Sequence, residues 1–220
     1  RGYVQAMLDG TIEPKDIDRY LKIVMDETTR LTDLVRDLLD ISRFESGKFP
    51  LEIAPFDANE MMRRILINYE QRITRKHVDI DIQFEVDTQY AVGDVNRINQ
   101  VVSNFIDNAL KFLPDENGKL TIGTKLRDRH VIFTVQDNGP GIHEKDLPHI
   151  FERFYKTDKA HTSGMGTGLG LSICNLIIRQ HKSEIRVSSV PHRKTVFSFA
   201  LPAASPPQPL QLKAVDENRK

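Results

Sequence analysis

The sequence predicts an α+β fold, a two-layer α/β sandwich of one mixed sheet with helices on one face, preceded by a helical hairpin. Two observations support this fold class. Residues 16–46 carry apolar side chains at heptad spacing. After residue 50, segments with helical periodicity are interspersed with segments in which apolar and polar residues alternate.

The helical hairpin is predicted from the first 46 residues. Residues 1–10 form the end of one helix, the stretch from Gly10 to Pro14 turns the chain, and residues 16–46 form a second helix. A helix of this length cannot bury its apolar stripe alone, so two antiparallel helices per chain indicate a four-helix bundle made by a homodimer. A coiled-coil spacer without chemistry fits the same periodicity. The stripe consists of Ile17, Leu21, Val24, Thr28, Leu31, Val35 and Leu38, widened by Leu34 and Ile41.

A domain boundary is predicted at "ESGKFP", where Gly47 is a typical C-cap and Pro50 a helix stop. The predicted domains are the helical hairpin over residues 1–47 and a larger domain over residues 48–202. The tail over residues 203–220 is rich in proline and glutamine without periodicity, which predicts disorder.

The larger domain has three predicted helices and five predicted strands. The helices cover residues 58–72, 95–112 (capped by Asp94) and 168–181. The strands cover residues 77–86, 119–126, 130–137, 184–190 and 195–202, the last four as two hairpins. A loop-rich span over residues 138–167 separates the two hairpin regions.

Composition narrows the function classes. Lysine plus arginine equals aspartate plus glutamate at 31 each, which gives no support for a nucleic-acid or membrane-surface binder. Cys174, the single cysteine, lies in an apolar helical run, which predicts a buried small apolar side chain. No segment is long and apolar enough to span a bilayer, which predicts a cytoplasmic polypeptide. Since the chain opens inside an amphipathic pattern without an initiator methionine, we expect it to be part of a longer protein.

One face of the predicted helix 95–112 carries Gln100, Asn104, Asn108 and Lys111. Amide oxygens can complete the coordination of Mg²⁺ bound to phosphate, and a lysine one turn away can offset phosphate charge. Taken alone, the pattern is also typical of a solvated helix face.

The segment "DNGPGI" follows a predicted strand. Asp137 at the strand end can accept a hydrogen bond from an exocyclic amine, and Gly139 and Gly141 let backbone approach a flat ligand. An ordinary Asp-Asn-Gly turn is the alternative.

The segment "GMGTGLGL" (164–171) opens a helix with four glycines. Free backbone N–H groups at a helix N-terminus suit phosphate. The spacing matches neither the P-loop nor the dinucleotide-binding fingerprint, and a flexible hinge without a ligand is the alternative.

The segment "FERFYK" (151–156) combines aromatic and basic residues. Phe151, Phe154 and Tyr155 are candidates to anchor a mobile loop, and Arg153 and Lys156 to reach anionic groups. A small satellite hydrophobic cluster is the alternative.

The order and spacing of these four segments, over residues 1 to about 202, resemble the catalytic part of sensor histidine kinases of two-component systems, in the GHKL ATPase superfamily. The segments are similar to that family's N, G1, F and G2 boxes, and "LLDISRFESGKF" to the end of its dimerisation and histidine phosphotransfer domain. The resemblance implies the GHKL (Bergerat) fold, ATP and Mg²⁺ as ligands, a homodimer and a response-regulator receiver domain as partner.

The resemblance also implies roles for single residues. Asp137 would bind the adenine amine, Asn104 would coordinate Mg²⁺, and Asn104 and Lys111 would serve catalysis. Residues 143–167 would form a lid over ATP. The implied nucleotide-binding set is Asn104, Asn108, Lys111, Phe112, Asp137, Gly139, Gly141, Ile142, Arg153, Tyr155, Lys156, Gly166, Thr167, Gly168, Leu169, Gly170, Leu171 and Thr195.

The family's acceptor histidine lies in a box that would precede Arg1, so we expect it, and the membrane anchor of this class in the bacterial inner or plasma membrane, upstream of this chain. His143 in "HEKDLP" imitates the box by spelling, but it follows the G1 box inside the lid, and we do not assign it as the acceptor.

Two segments depart from the family pattern. "HTSGM", before the second glycine box, lacks the usual basic residues, and "QHKSEIRV" lacks the usual glycine pair. The rival functions are another GHKL ATPase or an anti-sigma-type serine kinase, against which the long heptad helix speaks, and a degenerate kinase acting as a dimeric scaffold.

Overall fold

The helical hairpin is built as predicted. The computed structural model describes residues 2–45, 50–157 and 167–206. Helix α1 (Gly2–Leu8) and helix α2 (Ile17–Glu45) are joined by a turn and a 3₁₀ helix over Pro14–Asp16. The helix predicted over residues 16–46 is therefore confirmed to within one residue at each end, whereas the predicted cap at Gly47 lies outside the described residues.

The apolar stripe of α2 is left open along much of its length. Leu21, Leu31, Val35 and Leu38 are between 47% and 63% exposed. Ile41, near the end of the helix, is only 3% exposed and belongs to the core of the following domain. The last turns of α2 therefore pack against that domain, while its middle offers an uncovered apolar surface.

The described part of the second domain contains three long helices and seven strands. The helices are α3 (Ala58–Arg75), α4 (Val95–Phe112) and α5 (Gly170–Gln180). The strands are β1 (Ala54–Asp57), β2 (Asp79–Phe84), β3 (Tyr90–Gly93), β4 (Lys119–Arg127), β5 (His130–Asp137), β6 (Arg186–Val190) and β7 (Lys194–Ala204).

The strands form one mixed sheet in the order β1-β3-β7-β5-β4-β2, with β6 also paired to β7. The β2–β4 pair is parallel, and the other pairs are antiparallel. Apolar residues of α3, α4 and α5 share one core with the inward side chains of the sheet. The predicted fold class, one mixed sheet with helices packed on it, is confirmed.

Strand parity places two polar side chains at the edge of this core. Along β5 and β7, alternate residues are buried, and Phe105 of α4 stacks on Phe197 of β7 at a centroid distance of 4.9 Å. Asp137 and Thr195 have the same parity as the buried phenylalanines and face each other in the β5–β7 register. Both side chains therefore point to the helix side of the sheet, at the edge where β5 ends and β7 begins.

Two strands were not predicted from the sequence, β1 and β3. Each has only four residues, and the two pair with each other in antiparallel register, Ala54 opposite Gly93. β1 contains Pro55, which an edge strand tolerates because one side of its backbone needs no partner. Segments this short carry too little alternation to be recognised without their partners.

The sequence also gave predictions for Cys174, for the end of the second domain and for the tail. Cys174 is fully buried, and burial raises the pKa of its thiol. β7 continues to Ala204, two residues beyond the predicted domain end at residue 202. The rest of the predicted tail, from residue 207, lies outside the described residues. Within the described part of the chain, no helix has the length and apolar character needed to cross a membrane.

A candidate nucleotide-binding site

A cleft of about 640 Å³ opens between α4, the loop after β5, the N-terminus of α5 and helix α2. Most of the predicted site residues meet on its walls. Those that line it are Asn104, Asn108, Lys111, Phe112, Asp137, Gly141, Ile142, Tyr155, Lys156, Thr167, Gly168, Gly170, Leu171 and Thr195.

Three predicted residues do not line the cleft. Gly139 is absent from the cleft walls, and its N–H donates to Asp137 Oδ1 at 2.9 Å. Leu169 is fully buried in the core at the start of α5. Arg153 is absent from the cleft walls. A fourth predicted residue, Gly166, lies outside the described residues.

The amide face of α4 is positioned by the opposite face of the same helix. Val101, Val102, Phe105 and Ile106 are at most 1% exposed and anchor α4 in the core. Since residues four apart lie one above the other on a helix, Asn104 and Asn108 are then held along the cleft. The face predicted from the sequence is therefore the one that meets the cleft.

Asp137 is the acidic group at one end of the cleft. Its side chain is only 8% exposed, and burial raises its pKa to about 6, although the hydrogen bond from Gly139 opposes the shift. A Cβ on Gly139 would lie 2.8 Å from Asp137 Oδ1 and 3.1 Å from the carbonyl oxygen of Phe112. The loop therefore needs glycine there to bring its amide onto the carboxylate.

A hydroxyl pair ties the loop after Asp137 to the second hairpin. Ser189 Oγ accepts the N–H of Ile142 at 2.8 Å and lies 3.2 Å from Thr195 Oγ1. Ser189 also donates to the carbonyl oxygen of Lys194 at 3.0 Å. Thr195 is thus brought to the site because it is paired with Asp137 in the β5–β7 register. Ser189, which sequence reasoning missed, holds the neighbouring loop through Ile142.

The other end of the cleft is formed where α4 meets α5. A Cβ on Gly170 would lie 2.5 Å from Asn104 Oδ1 and 2.7 Å from Asn104 Nδ2. The Asn104 amide is therefore packed directly onto the N-terminus of α5. Any side chain at residue 170 would displace it.

The base of the loop before α5 is closed by a backbone contact. The N–H of Phe154 donates to the carbonyl oxygen of Gly168 at 2.9 Å. Gly168 has φ of +77°, and a Cβ there would lie 2.8 Å from the Phe154 backbone. A glycine is required for both reasons.

The aromatic residues of "FERFYK" divide into two groups. Phe151 and Tyr155 pack against the core, and Tyr155 Oη donates to Asp146 Oδ1 at 2.7 Å. Phe154 is 56% exposed instead of packed. His143 is exposed at the start of this loop and is far in sequence from helices α1 and α2. Residues 158–166 of the predicted lid lie outside the described residues.

Helix α2 supplies a wall of the cleft that sequence reasoning missed. Its polar residues Asp26, Thr29, Arg30, Arg36 and Asp37 line the cleft. In a heptad helix, the polar residues between the apolar positions usually face solvent. No signal in the sequence therefore distinguished the polar residues of α2 that line the cleft.

Asp107, also missed, is held at the cleft by α3. Tyr69 Oη donates to Asp107 Oδ2 at 2.8 Å, and Arg72 forms an ion pair with Oδ1 of the same carboxylate. Burial is the largest cause that raises the pKa of Tyr69, followed by the Asp107 charge. Both oxygens of Asp107 are therefore engaged by α3.

Among the described residues, no group of three or more histidine, cysteine, aspartate or glutamate side chains is placed to hold a metal ion. A cation in this cleft would therefore take much of its coordination from a bound ligand and water, as Mg²⁺ does when it is bound with phosphates.

The family profile described as "Histidine kinase-, DNA gyrase B-, and HSP90-like ATPase" matches residues 93–205. The sensor histidine kinase WalK of Bacillus subtilis (strain 168) is 34% identical over 206 residues, which cover 92% of this chain and 33% of WalK. The chain thus spans about a third of the length of this relative.

Solved structures of histidine kinases also superpose on this chain. Acinetobacter baumannii histidine kinase AdeS superposes with a TM-score of 0.74 at 27% identity, covering 93% of each chain. Histidine kinase ThkA, in complex with response regulator protein TrrA, superposes with a TM-score of 0.74 at 28% identity, covering 92% of this chain and 56% of ThkA. The chain belongs to the histidine kinase-, DNA gyrase B- and HSP90-like ATPase family, and over 92% of its length it is similar to a sensor histidine kinase.

Proposed function

We propose that the cleft binds ATP with Mg²⁺, adenine at the Asp137 end and phosphates at the Asn104 end. The observation that carries this proposal is the buried carboxylate of Asp137 facing the cleft, with Oδ1 held by the Gly139 amide. A carboxylate accepts hydrogen bonds and, when ionised, donates none, so it accepts from the exocyclic amine of adenine and disfavours a carbonyl at that position.

The phosphate end combines an amide with cations. Asn104 packs on the N-terminus of α5, and Lys111 and Lys156 line the same cleft. Asn104 would supply an oxygen to Mg²⁺, and the phosphates and water would supply the other ligands. When bound, Mg²⁺ neutralises phosphate charge. Lys111 contributes a further positive charge there, which supports the catalytic role assigned to Asn104 and Lys111.

For the whole protein we propose a histidine kinase reaction. A histidine nitrogen attacks the γ-phosphorus of ATP, the bond to the bridging oxygen breaks, and ADP leaves. Positioning and charge neutralisation dominate the catalysis of such a transfer. The phosphoryl group then passes to an aspartate of a response-regulator receiver domain. The names of the similar proteins, a sensor histidine kinase and a kinase solved with its response regulator, support this proposal.

The proposal includes the predicted division of the chain and its assembly. Residues 1–47 would belong to the dimerisation and phosphotransfer bundle, residues 48–202 to the catalytic domain, and the uncovered stripe of α2 would pair with a second copy. In the whole protein the domain would lie on the cytoplasmic side of a membrane that other segments anchor.

Calorimetric titration with ATP, GTP and ADP, each with Mg²⁺ and with EDTA, tests the nucleotide proposal. We expect ATP to bind, GTP to bind far more weakly, and Mg²⁺ to strengthen ATP binding. Gly170→Ala should remove most of the Mg²⁺ enhancement, because the new Cβ displaces the Asn104 amide. Its fold should remain intact, since the clashing atoms are the far end of the Asn104 side chain and not backbone.

Asn104→Ala is the matched control, since it removes the same amide without touching α5. It should lose the same enhancement, and the double variant should lose no more than either single variant, because both act on one contact. Additive losses would contradict the Asn104 assignment. A parent chain that binds no nucleotide would favour the scaffold alternative.

A further inference from the structure

We propose that Arg36, on helix α2, binds the terminal phosphate of ATP in the cleft. The inference rests on the proposed nucleotide site and adds a residue from outside the ATPase domain. It starts from the segment before the glycine-rich turn, residues 161–165, which contains no lysine or arginine. This segment therefore supplies no cationic side chain to the terminal phosphate.

Helix α2 is anchored beside the phosphate end by two sets of polar contacts. Asp40 pairs with Arg97 at 3.4 Å and accepts from Gln100 Nε2 at 3.4 Å, with the Asp40 and Arg97 side chains only 12% and 19% exposed. One turn earlier, Asp37 Oδ2 accepts from Thr167 Oγ1 at 3.4 Å. The contacts place α2 across α4 and the start of the α5 turn.

Arg36 directly precedes Asp37 and lines the same cleft as Asn104, Gly168 and Gly170. Because Asp37 touches Thr167, the residue before Gly168, Arg36 lies near the end of the cleft at which the Asn104 amide meets α5. This is the end assigned to the phosphates, opposite Asp137.

The guanidinium of Arg36 is exposed, and among the described residues no hydrogen bond or ion pair engages it. The other cleft arginine of α2, Arg30, pairs with Glu27 at 3.6 Å. Nearby acidic groups are engaged elsewhere: Asp37 by Thr167, and Asp107 by α3. A planar guanidinium can give two parallel hydrogen bonds to phosphate oxygens, which suits Arg36 to this ligand.

The test compares ATP with ADP, which differ by the terminal phosphate. Dissociation constants for both, with Mg²⁺, are measured by calorimetry on the parent chain, Arg36→Gln and Arg36→Lys. We expect Arg36→Gln to weaken ATP binding by about three- to tenfold, the range of a partly solvated charge-assisted contact, and to leave ADP binding nearly unchanged. Arg36→Lys should restore part of the loss, since lysine keeps the charge without the fork.

Arg19→Gln is the matched control, because Arg19 is an exposed arginine of the same helix that does not line the cleft. It should leave both constants unchanged. Equal losses for ATP and ADP in Arg36→Gln, or no loss for either, would overturn the inference. If the parent bound neither nucleotide, the proposed function would fail and this inference with it. If the parent and Arg36→Gln preferred ATP over ADP to the same extent, only this inference would fail.

Discussion

At the scale of single residues, Asp137 shows what burial does to a functional carboxylate. Its ordinary pKa of 3.8 is raised to about 6 because burial removes it from water. Between these values the folded chain holds a proton that the unfolded chain has released. The contribution of Asp137 to stability therefore falls as pH rises from about 4 to about 6, and the full penalty is present above pH 6.

Asp137→Asn should remove this penalty. The asparagine oxygen can still accept from Gly139, so the variant should match the parent near pH 4 and exceed it in stability at pH 7, by up to about 3 kcal/mol for a shift of about two units. Urea unfolding at several pH values measures the difference. The same variant should bind ATP more weakly. A stability difference that does not change with pH would contradict the assignment.

At the scale of secondary-structure elements, α4 is held by its N-cap. Asp94 Oδ1 accepts from the amides of Asn96 and Arg97, each at 3.1 Å, and Oδ2 accepts from the amide of Glu52 at 3.1 Å. The Asp94 N–H donates to His181 Nε2 at 3.0 Å, and His181 Nδ1 lies 2.8 Å from the carbonyl oxygen of Ile177. One residue thus links α4, α5 and the segment before β1.

Asp94→Ala should therefore cost more stability than Asp57→Ala. Asp57 caps α3 by accepting from the amides of Asn59 and Glu60 at 3.0 and 3.1 Å, an ordinary cap worth about 1 kcal/mol. Asp94 is 5% exposed and also satisfies Glu52, so its loss should cost about 2–3 kcal/mol. Thermal or urea unfolding compares the two variants. Equal costs would mean that the Glu52 contact contributes nothing.

At the scale of the whole molecule, the open stripe of α2 is the surface on which the dimer proposal rests. Leu31 is 63% and Leu38 47% exposed on a helix whose end is buried against the ATPase domain. Apolar side chains repeated at heptad spacing on one helix are typical of a bundle seam. The ATPase-family domain, by contrast, buries its core within one chain, and the end of α2 joins that core through Ile41.

We expect the parent chain to associate with itself in a concentration-dependent way, and Leu31→Glu with Leu38→Glu to shift it to the monomer. Sedimentation equilibrium measures the mass. The variant should keep its affinity for ATP, because neither residue lines the cleft. Leu126→Glu, a substitution of comparable exposure on β4, is the control and should not change the mass. A parent that is monomeric at every concentration would contradict the dimer proposal.

Local periodicity and spacing in the sequence were sufficient for much of this protein. The heptad helix, the cap at Asp94 and the amide face of α4 were predictable because residues three and four apart share a helix face regardless of the rest of the chain. The turn after Asp137, with Gly139 and Gly141, was predictable because glycine admits a backbone conformation or a close approach that other residues resist.

Only the tertiary structure decided what these elements meet. The pairing of β1 with β3, the tie from Ser189 to Ile142, and the docking of Asp40 on Arg97 each join residues far apart in the chain, and no local pattern encodes such partners. The same holds for Arg36, an unremarked polar position of a heptad helix until the packing of α2 brings it to the cleft. The sequence by itself determined the elements other than β1 and β3, and many of the side chains that line the cleft. Long-range packing decided which further residues share that cleft, because burial of the common core, and not local spacing, sets how the elements are arranged.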